Sequence, residues 1–211
     1  YVYSENGKET SINLKAPGDE LIPLNPINKI IVEKIKDFVS TNALKYISDS
    51  DTINQKLFRI ESDFVEKNPN LVRPYHDNMF FDTNTEIKLF TTDKAGKMGR
   101  SKWFVADKSV ITVNQNLINK WKVIVSSANA GGQKRDNQLG VMDNYSVFGR
   151  SRIALKMFDT EEEALNCKKY LQSYIARFAF LMTAESLTSL AKVVPDLVDY
   201  TSNNKLIDFS S

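Results

Sequence analysis

The chain has 211 residues, of which 42% are hydrophobic and 26% charged, with a formal net charge of +2. That is ordinary globular usage, enough for one large domain or two small ones, and it excludes collagen, a coiled-coil rod and a disordered chain. No apolar run approaches the length that crosses a bilayer, so no membrane partner is expected.

Residues 1–24 are mixed polar and punctuated by Gly7, Pro17, Gly18 and Pro23, which predicts an extended arm or a short hairpin. Asn25-Pro26 reads as a helix start, with an Asn cap and Pro in the first turn. Ile27, Ile30, Ile31, Ile35, Phe38 and Val39 continue at helical spacing to about Ser40–Asn42. Leu57, Ile60, Phe64 and Val65 predict a second helix that stops before Asn68-Pro69. From Leu71 to Phe90 the pattern is strand and turn. Short strands are expected at Trp103-Phe104-Val105 and Trp121-Lys122-Val123-Ile124-Val125, with one helical turn within 114–120. Residues 126–137 are a loop by composition, and Gly131-Gly132 permits close backbone approach. Ser146 to Phe158 is strand-like, crossed by Gly149-Arg150-Ser151-Arg152. Thr160-Glu161-Glu162-Glu163 is a capping box opening a helix from Thr160 to Met182, with three glutamates suited to its dipole. Thr183 caps a last short helix over 184–191, and Pro195 ends regular structure.

The near-neutral total hides a strong segregation. Residues 94–156 contain twelve basic side chains against Asp107, Asp136 and Asp143, a balance of +9, while the rest of the chain has 16 basic and 23 acidic residues, or −7. Such a charge dipole bears on partners rather than on fold. A polyanion such as double-stranded DNA is one reading; a solvated surface whose cations face several directions is the other.

Cys167 is the only cysteine and His76 the only histidine. An intrachain disulfide is therefore impossible, a structural zinc site cannot be built, and a reducing, cytoplasmic compartment is expected. The polar start Tyr1-Val2-Tyr3-Ser4 does not read as a signal peptide, and the missing initial Met suggests a piece of something longer.

Several clusters are candidates for chemistry. Lys94, Lys97, Arg100 and Lys102 form a basic loop without P-loop spacing, fitted to a phosphate backbone or simply an exposed turn. Gln133, Lys134, Arg135 and Asn137 follow the glycine pair; Gln and Asn suit adenine edges and Arg suits guanine, or the loop is an ordinary hairpin. Arg150 and Arg152 add phosphate contacts or merely flank a strand. Asp82, Glu86 and Lys88 have the acidic-x-Lys form of metal-dependent nucleases, although one polar face of a strand gives the same pattern. His76 has no Ser or Cys partner at a telling spacing, which leaves nucleophilic catalysis unsupported.

The order of features from residue 100 to 200 carries a resemblance. Trp121-Lys122-Val123-Ile124-Val125 is followed by the Gly-containing loop, then Phe158-Asp159-Thr160-Glu161-Glu162-Glu163-Ala164-Leu165-Asn166, then Arg177-Phe178, and finally Val194-Pro195-Asp196-Leu197 with Tyr200. This succession resembles the C-terminal target-recognition region of bacterial type II adenine-specific DNA methyltransferases of restriction-modification systems. The resemblance implies an α+β fold, a mixed small sheet packed against helices, with a helical N-terminal part. It implies a connector over 1–92 and a DNA target-recognition domain over 93–211. It implies a catalytic methyltransferase domain as partner, with S-adenosylmethionine bound there and not in this chain. The catalytic Asn/Asp-Pro-Pro-aromatic motif is missing: Asn25-Pro26-Ile27 and Asn68-Pro69-Asn70 lack the second Pro and the aromatic. The expected function is DNA binding, with phosphates held by Lys94, Lys97, Arg100, Lys102, Arg150 and Arg152, and base edges read by Gln133, Lys134, Arg135 and Asn137. No catalytic or metal-binding residue is assigned. The competing expectations are a small metal-dependent nuclease on Asp82, Glu86 and Lys88, and a basic protein-interaction module.

Overall fold

The strand Trp121-Lys122-Val123-Ile124-Val125-Ser126 is buried on both faces, and the architecture follows from that. A strand that reads as a continuous apolar run must lie between two layers. In the computed structural model, which describes residues 2–13, 23, 25–47, 57–93, 100–126, 139–181 and 194–209, it is the middle of a three-stranded antiparallel sheet. The strands in chain order are β1 (Val2–Glu5), β2 (Lys8–Ser11), β3 (Lys45–Tyr46), β4 (Val72–Pro74), β5 (Glu86–Thr92), β6 (Ser101–Asp107), β7 (Trp121–Ser126), β8 (Gly140–Met142), β9 (Ser146–Phe148), β10 (Arg152–Phe158) and β11 (Pro195–Asp196). The α-helices are α1 (Pro26–Thr41), α2 (Phe64–Lys67), α3 (Glu161–Leu171) and α4 (Tyr174–Leu181). The fold is mixed α+β with several small sheets.

One sheet has the order β10-β7-β8, and a second has the order β4-β6-β5-β9. Val123, Val125, Ile153 and Leu155 of the first sheet meet Ala164, Cys167, Tyr170 and Leu171 of α3, with Ala176 and Ala179 of α4 and Val32 of α1. Ile124, Ala154 and Met142 point the other way and pack on Ile87, Leu89, Phe104, Ala106 and Val147 of the second sheet. The result is a helical layer, a three-stranded sheet and a four-stranded sheet stacked in that order. Cys167 is buried in the helix-side cluster, where it packs as a small apolar side chain.

Local signals explain most elements. Asn6 and Gly7 both have positive φ, at 52° and 75°, the twist a two-residue hairpin turn requires between β1 and β2. The Asn25 side chain accepts the Asn28 N–H at 2.9 Å and caps α1. The Thr160 hydroxyl accepts the Glu163 N–H at 3.3 Å, which is the N-cap half of the expected capping box, and the Glu163 carboxylate accepts the Thr160 hydroxyl at 2.7 Å.

Four expectations are corrected. The helix over 57–65 reduces to one turn, Phe64–Lys67; Arg59 has φ 51°, outside the helical region, and Leu57, Phe58 and Ile60 are spaced by burial between the sheets. The helix over 160–182 breaks at Gln172-Ser173, where the Ser173 hydroxyl accepts the Ala176 N–H at 3.4 Å and starts α4. The strand over 146–158 is two strands in two different sheets, β9 beside β5 and β10 beside β7. Pro195 does not end regular structure; Pro195 and Asp196 pair antiparallel with Tyr46 and Lys45. The expected helix over 184–191 lies outside the described residues. A division at 92/93 falls inside the β5–β6 hairpin, whose pairing runs from Glu86↔Asp107 to Thr92↔Ser101.

Candidate nucleic-acid interface

Four strand ends meet at one edge of the stacked sheets. The β5–β6 ladder closes at Thr92↔Ser101, with the Asp93 N–H donating to the Arg100 carbonyl at 3.0 Å. The β7–β10 ladder closes at Ser126↔Arg152. The turn between β9 and β10 ties the two: the Ser101 hydroxyl donates to the Ser151 hydroxyl at 3.0 Å, and the Gly149 N–H donates to the Phe90 carbonyl at 2.8 Å. Glycine is required at 149, because a Cβ there would lie 2.5 Å from Thr91 Oγ1. Residues fifty positions apart thus share one site.

This edge gathers Arg100, Lys102, Arg150 and Arg152. Arg100 is exposed. Lys102 is 60% exposed and pairs with Asp93 at 2.7 Å. Arg150 pairs with Glu61 at 2.9 Å, both half in solvent. The exposed Arg150–Glu61 pair contributes little to stability, so a phosphate displaces its carboxylate at small cost. Arg152 is half-buried; its guanidinium lies 4.8 Å from the Phe90 ring centroid and donates to the Ser151 carbonyl at 3.1 Å. Burial lowers its pKa from the ordinary arginine value, and the guanidinium remains a cation. Lys94, Lys97, Gln133, Lys134, Arg135 and Asn137 lie outside the described residues, but residues 93, 100 and 126, which border their two segments, are at this edge.

Not every cation of the basic segment reaches the surface. Lys122 is fully buried and donates to the carbonyls of Ile118 at 2.8 Å, Lys120 at 2.7 Å and Asp143 at 3.4 Å. Burial pulls its pKa down to about 7 against the opposing charge of Asp143. Lys156 is also buried, on Asp196 at 2.9 Å. Lys120 is paired with Asp159. The sequence count of +9 therefore overstates the positive surface.

Glu86 and Lys88 lie on the outer face of the four-stranded sheet and Asp82 lies before the turn that leads into β5; each is already engaged. Glu86 takes both guanidinium nitrogens of Arg73 and the Asp82 N–H at 3.0 Å. Asp82 accepts the Asn84 N–H at 2.9 Å and the Thr85 hydroxyl at 3.1 Å, closing its own turn. Arg73 holds the Glu86 carboxyl below the usual carboxylate range, and the Asn84 backbone N–H does the same for Asp82. Among the described residues, His, Cys, Asp and Glu form no group of three that could hold a metal ion. His76 is exposed.

Lys88 occupies a different setting. Its ammonium binds Asp143 at 2.7 Å and lies 4.8 Å from the Tyr145 ring centroid, 5.4 Å from Trp103 and 5.5 Å from Tyr75. Trp103 stands 5.0 Å from Phe90, and Phe81 packs on Tyr145 at 5.8 Å. Of this row of part-buried rings the sequence suggests only Tyr145 as a base-stacking candidate, with core packing as its alternative; the other rings are not anticipated as a site. Its legible part was the period-two alternation of Lys88 and Phe90; the opposition of Phe90 to Trp103 depends on register. No protein-family model, no curated protein and no solved structure matches the chain.

Proposed function

We propose that this chain is the target-recognition part of a restriction-modification adenine-specific DNA methyltransferase, and that it binds double-stranded DNA without catalysing methyl transfer itself. The observation that carries the DNA reading is the convergence of Arg100, Lys102, Arg150 and Arg152 at one edge through the Ser101–Ser151 hydrogen bond. The order of motifs from Trp121 to Tyr200 supports the methyltransferase context. In that reading S-adenosylmethionine is bound by a separate catalytic domain, in a cytoplasmic setting, and this chain contributes register and sequence choice.

The mechanism is binding. The surface cations neutralise phosphates and release counterions, which fixes the protein on the duplex without sequence information. Sequence is read by side chains at base edges, the role proposed for Gln133, Lys134, Arg135 and Asn137, each good bidentate contact discriminating by about 1–3 kcal/mol. The nuclease alternative gains nothing from Asp82 and Glu86, whose carboxylates are committed to protein donors.

Fluorescence anisotropy with a labelled duplex tests the reading. Duplex binding that weakens steeply with salt is expected, and Arg100→Gln or Arg150→Gln each reduces the slope by about one counterion. Lys205→Gln, in the tail, leaves it unchanged. Absence of duplex binding at low salt overturns the DNA reading. The methyltransferase assignment fails if neither the polypeptide that adjoins this chain nor a protein encoded beside it contains a cofactor motif and an Asn/Asp-Pro-Pro-aromatic motif.

A further inference from the structure

The outer face of the four-stranded sheet has a composition that packing alone does not require. Glu86, Lys88 and Phe90 alternate with buried residues along β5, and Trp103 of β6 opposes Phe90; all four are part-exposed, with Phe90 and Trp103 also packed against the edge of the inter-sheet cluster. A solvent-facing sheet surface ordinarily carries short polar side chains. Here a continuous row of rings and cations runs along it. Arg152 lies over Phe90, Phe90 touches Trp103, and Trp103 adjoins Lys88, which in turn adjoins Tyr145 and Tyr75. The row begins at the basic edge, because Arg152 belongs to both.

We infer that this aromatic row receives unpaired DNA bases, about two nucleotides stacked on Phe90, Trp103 and the Tyr75–Tyr145 pair, with their phosphates led in from the basic edge. The inference rests on the DNA reading above and names what that surface takes. Three observations select an unpaired strand. Every base offers a π-face, so rings on a sheet hold bases without needing a groove contour. Duplex bases are stacked on each other, so a base must be unpaired and splayed out before it can stack on a side-chain ring. The charge is polarised: Arg100, Lys102, Arg150 and Arg152 outnumber Asp93 and Glu61 at one end, whereas Glu86 and Asp82 offset Arg73 at the other, which sets where a phosphate backbone enters. Lys88, held by Asp143 at 2.7 Å, braces the rings and is not free to leave with the ligand.

The experiment uses the whole chain and three labelled DNAs: a duplex, the same duplex with three unpaired thymidines, and that duplex with abasic sites in place of the three bases. The chain has two tryptophans, Trp103 and Trp121, so a Trp121→Phe variant isolates the emission of Trp103. The expected result is roughly tenfold tighter binding of the unpaired DNA than of the other two, with Trp103 quenched only there. Phe90→Leu and Tyr145→Leu, each checked for a native circular-dichroism spectrum, abolish the gain and keep duplex binding. Trp103→Phe keeps the gain, since a ring remains. Arg150→Gln weakens all three DNAs equally. Equal binding of all three without quenching overturns the inference and leaves the duplex reading standing. Failure to bind any of them overturns the duplex reading itself, and the inference with it.

Discussion

Lys122 and Lys156 lie on paired neighbouring strands of one three-stranded sheet, offset by a single residue, and are buried on opposite faces. Lys156 faces the helices and meets a carboxylate: Asp196 binds its ammonium and accepts the Tyr200 hydroxyl at 3.0 Å and the Val198 N–H at 3.0 Å. Lys122 faces the second sheet, and its hydrogen-bond acceptors are three backbone carbonyls. Lys122 has an acceptor for each of its three ammonium protons, but only Lys156 has a full opposite charge within hydrogen-bond reach. The helix face therefore contains a charge pair whose halves depend on each other. The inter-sheet face contains a charge that burial strongly disfavours. Neither lysine is available to DNA, although both counted toward the basic segment.

Removing one half of the helix-side pair has the largest expected effect. Asp196→Asn leaves the Lys156 ammonium buried without its counter-charge and destabilises by about 3–5 kcal/mol in urea denaturation. Adding Lys156→Met to it recovers much of that loss; no recovery means that the two residues act independently.

The inter-sheet lysine is tested by pH. Its folded pKa, about 7, lies below its ordinary value of 10.5, so the unfolded chain binds the extra proton between those limits. Stability contributed this way rises with pH from about 7, by a few kcal/mol at most. The opposite sign applies at Tyr170 and Tyr200, whose hydroxyls burial pushes well above the ordinary 10; their contribution is lost above pH 10. A maximum between pH 9 and 10 is expected for the wild type, measured by urea midpoints, and Lys122→Met flattens the rise between 7 and 9. A rise unchanged in that variant assigns it to another group.

The tie between the two sheets predicts a comparable loss. Gly149→Ala places a Cβ 2.5 Å from Thr91 Oγ1, a buried hydroxyl with no hydrogen-bond partner among the described residues, and costs about 1–3 kcal/mol. Thr91→Ala added to it restores part of that loss, because the nearest atom is removed. The smallest stability effect belongs to the surface cations. Arg150→Gln breaks an exposed pair with Glu61 and shifts the urea midpoint by less than about 1 kcal/mol, while it does change the salt dependence of DNA binding.

Several elements were legible because their causes are local. Asn25 caps α1 and Thr160 with Glu163 caps α3 through side chains three residues apart. Trp121 to Ser126 reads as a strand because an apolar run covers both of its faces. The break at Gln172-Ser173 was available in principle, as a serine cap inside an apolar stripe, but the stripe continues through it. The spacing of Leu57, Ile60, Phe64 and Val65 misled, since burial between two sheets gives the same interval as one helical turn.

Of the candidate site, the residue types at positions 100, 102, 150 and 152 were legible as a basic surface. Their proximity was not, because Ser101 and Ser151 meet only after β9 and β10 have entered different sheets. The partition of the twelve cations was equally hidden. Lys122 and Lys156 stand in apolar runs, but which layer covers each ammonium depends on the neighbouring sheet and helices, whereas the Lys102 side chain is 60% exposed.

The sequence by itself determined the starts of α1 and α3 and the segregation of charge along the chain. These depend on a side chain and the few backbone groups beside it, or on composition alone. Tertiary structure decided which lysines are interior, which strand ends share the basic edge, and which rings form the row over Lys88. Those depend on sheet register and on which layer covers each face, and both are set by contacts between residues far apart in the chain.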